Sequence, residues 1–105
     1  MSTISTHVLD TALGIPAAGI RVVLLCETDG ATMGTAVTDS DGRVRDLTAT
    51  QGTYRLQFET AAYFAASARD TFYPEISIVF TVADSAHYHV PLLLSPFGYT
   101  TYRGS

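Results

Sequence analysis

Three histidines, a pair of arginines beside a turn and a polar C-terminus are the residues of this 105-residue chain best suited to chemistry. His87 and His89 stand two apart in the run His87-Tyr88-His89-Val90-Pro91-Leu92-Leu93-Leu94. On a strand that spacing puts both imidazoles on one face, while Tyr88, Val90, Leu92 and Leu94 take the other, apolar face. His7 lies in Ile4-Ser5-Thr6-His7-Val8-Leu9-Asp10, on the side away from Val8. Imidazole is the usual acid–base group near neutral pH, so histidines on non-core faces could act together if the fold gathers them. The plain alternative for any one of them is solvent exposure. A third reading takes His7, His87 and His89 as zinc ligands, although no Asp-, Glu- or Cys-rich partner motif accompanies them. Arg43 and Arg45 follow the turn Asp39-Ser40-Asp41-Gly42. There a guanidinium fork could hold an anionic or carbonyl oxygen. Tyr102-Arg103-Gly104-Ser105 follows directly on a strand-like run.

Other catalytic and binding motifs fail on inspection. If Gly42 held the glycine position of a calcium loop, Val37 and Thr48 would occupy positions that need carboxylates. No Gly-x-Ser-x-Gly elbow exists, and Ser95 precedes Pro96. No phosphate-binding glycine loop is present.

The elements that must carry these side chains are short and β-rich. Alternation predicts strands over 4–10, 20–27, 32–38 and 54–58, with a short one over 44–47. The Ala-rich stretch 60–68 predicts a helix with Thr60 as its N-cap. Strands resume over 75–82 and 87–94, joined by a hairpin-like turn at Ala83-Asp84-Ser85, and a last run spans 97–103. Seven or eight strands with one short helix, and turns every ~8–12 residues, are the pattern of an antiparallel sandwich or barrel.

Length and composition bound the rest. The chain is one domain, residues 1–105. Hydrophobic residues make up 47% of it, a high share for a domain that buries so little of its surface. An oligomer is therefore expected, with some apolar surface in subunit contacts. The net charge is −4, with six arginines and no lysine. No clustered basic footprint for nucleic acid and no amphipathic basic stretch for a membrane is visible. Cys26 is the single cysteine; it lies in an apolar run, where a buried, inert thiol is expected. A cytoplasmic protein without a signal peptide is expected.

Several segments together resemble the transthyretin-like protein family. Ser5-Thr6-His7-Val8-Leu9-Asp10 with Gly14-Ile15-Pro16-Ala17 is similar to the family's opening, and Asp41-Gly42-Arg43 to its second signature. The block from His87 to Pro96 is similar to its third. Tyr102-Arg103-Gly104-Ser105 resembles the terminal tetrapeptide of the family's 5-hydroxyisourate hydrolases. Gly98 and Thr100 depart from that pattern, standing where serine is common. The resemblance implies an all-β, two-sheet antiparallel sandwich of about eight strands, with a short helix after the fifth. It also implies a homotetramer with active sites at the dimer–dimer interface. The implied activity is hydrolysis of 5-hydroxyisourate, in urate breakdown, to a ureido-substituted imidazoline carboxylate, with neither metal nor cofactor. His7, Arg43, His89 and Ser105 would be catalytic, His7 acting as base with His89 as partner. Tyr102, Arg103, Gly104 and His87 would contact substrate. The alternatives are a small-ligand carrier on the same fold, or a zinc-dependent cyclic amide hydrolase.

Overall fold

The computed structural model describes residues 1–105. Its strands are β1 (Ser2–Asp10), β2 (Ile15–Pro16), β3 (Arg21–Cys26), β4 (Thr32–Val37), β5 (Arg43–Ala49) and β6 (Gly52–Phe58). Helix α1 (Thr60–Ala66) follows, then β7 (Ile76–Val82), β8 (Tyr88–His89), β9 (Leu92–Ser95) and β10 (Gly98–Thr101). One sheet has the order β4-β3-β6-β7. The other is built around β1, with β5, β8, β9 and β2 paired to it and β10 beyond β9. β2 is a two-residue extension, and β8 and β9 divide one expected strand. Counted without that extension and division, the sandwich has eight principal strands, with the helix after the fifth.

Strand alternation builds the core between the sheets. Ile4 and Val8 on β1 are fully buried, as are Val22, Leu24, Leu56, Phe58, Leu92 and Leu94 on the strands around and opposite them. Ile4, Val8, Val22 and Phe58 are β-branched or aromatic, types that pack well on a pleated surface, and leucines fill the other four positions. The odd-numbered face of β1, carrying Thr3, Ser5 and His7, is therefore left outside.

Three local features differ from the sequence reading. β1 runs parallel to β8 and β9, whereas every other pairing is antiparallel. The segment from Ala83 to His87 is therefore no hairpin. It crosses from one sheet to the other, held by the Tyr88 hydroxyl, which accepts from the Ala83 N–H and donates to Asp84 Oδ1. β5 is seven residues long rather than four, because a bulge breaks the alternation that would have revealed its full length. Thr60 is the first helical residue and not the cap. The N-cap is Glu59, with no side-chain cap bond, while the Thr60 hydroxyl donates to the Tyr73 carbonyl.

The helix is fixed to β1 through Asp10. That carboxylate is fully buried. It accepts hydrogen bonds from the Tyr63 hydroxyl and Arg69 Nη2, each at 2.7 Å, and from the Leu13 N–H at 3.1 Å. Burial pushes its pKa up, but the bonds from Arg69, Tyr63 and Leu13, with the Arg69 charge, hold it below the ordinary aspartate value. Cys26 is a free thiol and is only half-buried, since it ends its strand at the sandwich edge.

Candidate active site

Two pairings of β1 bring the candidate residues together. On one side β8 lies parallel and in register, with Ile4 opposite Tyr88 and Ser5 opposite His89. The offset is unchanged further along, where Val8 faces Leu92. The break at Val90-Pro91 is due to proline, which has no N–H for the ladder. His87 and His89 therefore stand on the outer face, alongside Thr3 and Ser5. On the other side β5 places Arg43 opposite His7.

That second placement depends on the bulge. Ile4 pairs with Leu47, but Thr6 pairs with Val44, so two residues of β1 span three of β5. With strict alternation from Leu47, Arg43 would point into the core. The extra residue reverses the parity, so Val44 is buried and Arg43 emerges beside His7. The turn before it is closed by Asp39, whose Oδ1 accepts from the N–H groups of Asp41 and Arg43, each at 2.9 Å. Gly42 is required there. Its φ is +74°, and an added Cβ would lie 2.4 Å from the Val8 carbonyl oxygen.

The result is an open cavity of about 320 Å³ lined by Ser5, Thr6, Arg43, Val44, Arg45, His87, His89 and Ser105. Val44 is its only hydrophobic wall residue. Four of the expected site residues, Arg43, His87, His89 and Ser105, thus share one cavity. His7 lies beside Arg43 but not in that lining. Gly104 supports the cavity from behind. Its N–H donates to the His89 carbonyl at 2.9 Å, and an added Cβ would meet His89 Cδ2 at 2.5 Å. Only glycine lets the chain pass so close to the imidazole. Tyr102 and Arg103 line a neighbouring, more apolar cavity of about 290 Å³ with Ile78, Val79, Phe80 and Val90, and His89 borders both cavities. There the Arg103 guanidinium lies 4.5 Å from the centre of the Tyr88 ring.

Ser5 and Thr3 were not singled out from the sequence, yet both engage the histidines. Ser5 Oγ is 2.8 Å from His87 Nε2 and 2.7 Å from His89 Nδ1. Thr3 Oγ1 is 2.5 Å from His87 Nδ1. The signal that could have found them was their spacing, since Thr3, Ser5 and His7 alternate on one face. The His89 pKa is lowered, first by burial and then by the charges of Arg43, His87 and His7. An imidazole so placed is neutral at neutral pH and free to accept a proton. No group of three or more His, Cys, Asp or Glu side chains is arranged to share a metal ion. His87 presents both ring nitrogens to hydroxyls.

Comparison with known proteins gives consistent matches. Residues 4–104 match the family described as HIUase/Transthyretin. A 5-hydroxyisourate hydrolase of Deinococcus radiodurans is 48% identical over 114 residues, covering 97% of this chain and 95% of that one. The solved 5-hydroxyisourate hydrolase of Klebsiella pneumoniae superposes with a TM-score of 0.90 at 41% identity, covering 100% of this chain and 94% of the other. Transthyretin from Sparus aurata reaches 0.89 at 31% identity, covering 97% and 96%.

Proposed function

The chain belongs to the HIUase/Transthyretin family, and on that premise we propose that it is an enzyme that hydrolyses 5-hydroxyisourate in urate breakdown. The observation that carries this reading is the polar cavity in which Arg43, His87, His89 and Ser105 meet. Fold alone does not separate an enzyme from a carrier, because one fold hosts many functions. A carrier for an apolar ligand needs a mostly apolar pocket, whereas this lining has one hydrophobic residue.

Hydrolysis requires water to be aimed at the ring carbonyl and one proton to be removed as the C–O bond forms. His89 lines the cavity, and its lowered pKa keeps it neutral. We therefore assign the base to His89, with His7 as its electrostatic partner across Arg43, reversing the order expected from the sequence. Nδ1 of His89 is held by Ser5, which leaves Nε2 to face the water. Arg43, with Arg45 beside it, supplies fixed positive charge for the oxyanion that develops. Ser105 closes one edge of the cavity, and Gly104 sets how near that edge lies to His89. Tyr102 and Arg103 would act from the rim, as the residues that carry Gly104 and Ser105 into place.

We further propose a homotetramer with the sites at the dimer–dimer interface. In support, the cavity is open on one side, and Phe72, Val79, Phe97 and Tyr99 are exposed on the single chain. Sedimentation equilibrium should return four chain masses. A reducing, cytoplasmic location is proposed on the free thiol of Cys26. No helix is long and apolar enough to cross a membrane.

The test of function is spectrophotometric. Urate oxidase generates 5-hydroxyisourate from urate, and its ultraviolet decay is followed with and without this protein in EDTA. Accelerated decay supports the hydrolase. Decay at the spontaneous rate with folded protein would turn the assignment to the carrier. Acceleration that EDTA abolishes and zinc restores would turn it to the metal-dependent enzyme.

A further inference from the structure

Ser5 Oγ sits between two imidazoles, within hydrogen-bond distance of His87 Nε2 and His89 Nδ1. Beyond His87 the chain of contacts continues to Thr3. Ser5 is nearly buried, at 9% exposure, whereas His87 and Thr3 lie at the surface. The row therefore runs from His89 through Ser5 and His87, all in the cavity lining, out to the exposed Thr3 beyond it. We infer that Ser5 is a positioning residue that joins His89 to His87 in a proton path between the cavity and bulk water. This rests on His89 acting in the proposed hydrolysis.

The chemistry follows from the donor inventory. A serine hydroxyl has one proton, so it donates to one ring and accepts from the other. Two arrangements satisfy every contact. In the first, His89 Nδ1–H donates to Ser5, Ser5 donates to His87 Nε2, and His87 Nδ1–H donates to Thr3. His89 Nε2 then has a free lone pair and is a base. In the second, all three bonds are reversed, Nε2 carries hydrogen, and His89 is an acid. Converting one into the other moves one proton along the row.

A hydrolytic cycle uses both directions. As water attacks the carbonyl carbon, its proton passes to His89 Nε2. The Nδ1 proton moves to Ser5, the Ser5 proton moves to His87 Nε2, and the His87 Nδ1 proton leaves to solvent. As the C–N bond breaks, His89 Nε2–H protonates the departing nitrogen. Ser5 then reprotonates Nδ1, His87 Nε2–H reprotonates Ser5, and His87 Nδ1 takes a proton from solvent. One proton has left and one has entered, and both tautomers are restored. The charged or titrating groups around His89 are Arg43, His87 and His7. Arg45 and the chain end at Ser105 share its cavity. None of these duplicates the bridge made by Ser5.

The test compares wild type with Ser5→Ala and Ser5→Thr, each checked for folding by circular dichroism. In Ser5→Ala, kcat should fall roughly tenfold or more with KM within about twofold, as expected for loss of a proton-transfer step. Added imidazole buffer should raise kcat in that variant but not in wild type, and Ser5→Thr should restore turnover. Nitrogen-15 NMR of the unliganded protein should show both rings in the same tautomer, as either arrangement of the row requires. Wild-type turnover in Ser5→Ala, or a loss that buffer does not relieve, would overturn the proton path. So would opposite tautomers on the two rings in wild type. The NMR measurement needs no substrate and tests the row even if Ser5→Ala fails to fold. An inactive wild type with matched tautomers would instead count against the hydrolase itself.

Discussion

His7 and Arg43 are direct cross-strand partners, and they share a face because β5 carries one more residue than β1 between the Ile4–Leu47 and Thr6–Val44 pairs. The bulge exposes a cation where a core residue would otherwise be. Its consequence is a guanidinium in the lining of the cavity. Arg43→Lys keeps the charge but loses the planar fork. We expect kcat/KM to fall by roughly 10²-fold, the scale of losing an oxyanion donor. The thermal midpoint should barely move. Steady-state kinetics alongside a melting curve checks both.

The contact between Gly104 and His89 gives a second expectation. A methyl at residue 104 would force the imidazole away, since it would come within 2.5 Å of Cδ2. Displacement of a catalytic group by about 1 Å costs roughly 10²-fold in rate. Gly104→Ala should therefore lose turnover while remaining folded, as activity and circular dichroism measured together would show. Full activity in this variant would remove Gly104 from the support of the site.

The sequence made much of this legible, for identifiable reasons. Regular alternation in β1 and β9 assigned Ile4, Val8, Leu92 and Leu94 to the core and the histidines to the outside. The Asp-Gly-Arg turn marked the start of β5. The rest depended on features that alternation does not encode. The bulge hid the length of β5 and the inversion at Arg43. The crossing from β7 to β8 looked like a hairpin because turn residues do not say which sheet the next strand joins. Thr60 looked like a cap because its hydroxyl can serve one, but tertiary packing directs it to Tyr73. Ser5 stayed unnoticed because its role arises only when β8 lies parallel and in register beside β1. Tyr102 and Arg103 were grouped with Ser105 through the resemblance of the terminal tetrapeptide, and both line the cavity next to the one that Ser105 lines.

The pH dependence of kcat/KM should report His89. Burial and the neighbouring cations lower its pKa from the ordinary 6.5. The base form is the neutral one, so activity should fall on acidification at a pH below the ordinary histidine value of 6.5. Arg43→Ala removes one of the repelling charges. Its acid limb should therefore move to higher pH than in wild type. A shift to lower pH would contradict the electrostatic assignment.

Asp10 governs stability rather than chemistry. Truncating it in Asp10→Ala leaves Arg69 and Tyr63 without their acceptor next to the core. Losing these charge-assisted bonds from the partly exposed Arg69 and from Tyr63 costs roughly 1–3 kcal/mol, which urea unfolding would measure. Because the folded-state pKa of Asp10 is lowered, its contribution is fully present above the unfolded value near 3.8. It is lost as pH falls through the lower, folded value. Wild type should therefore lose more stability than Asp10→Ala as the pH falls below the unfolded value of 3.8.

The most direct measurement follows the ultraviolet decay of 5-hydroxyisourate in EDTA with wild type, His7→Asn and His89→Asn at equal concentration. Wild type should accelerate the decay. His89→Asn should lose at least about 10²-fold in turnover, as expected for removal of a general base, and His7→Asn should lose less. Both variants should keep the wild-type fold. Undiminished turnover in folded His89→Asn would contradict the central claim that this imidazole activates the water.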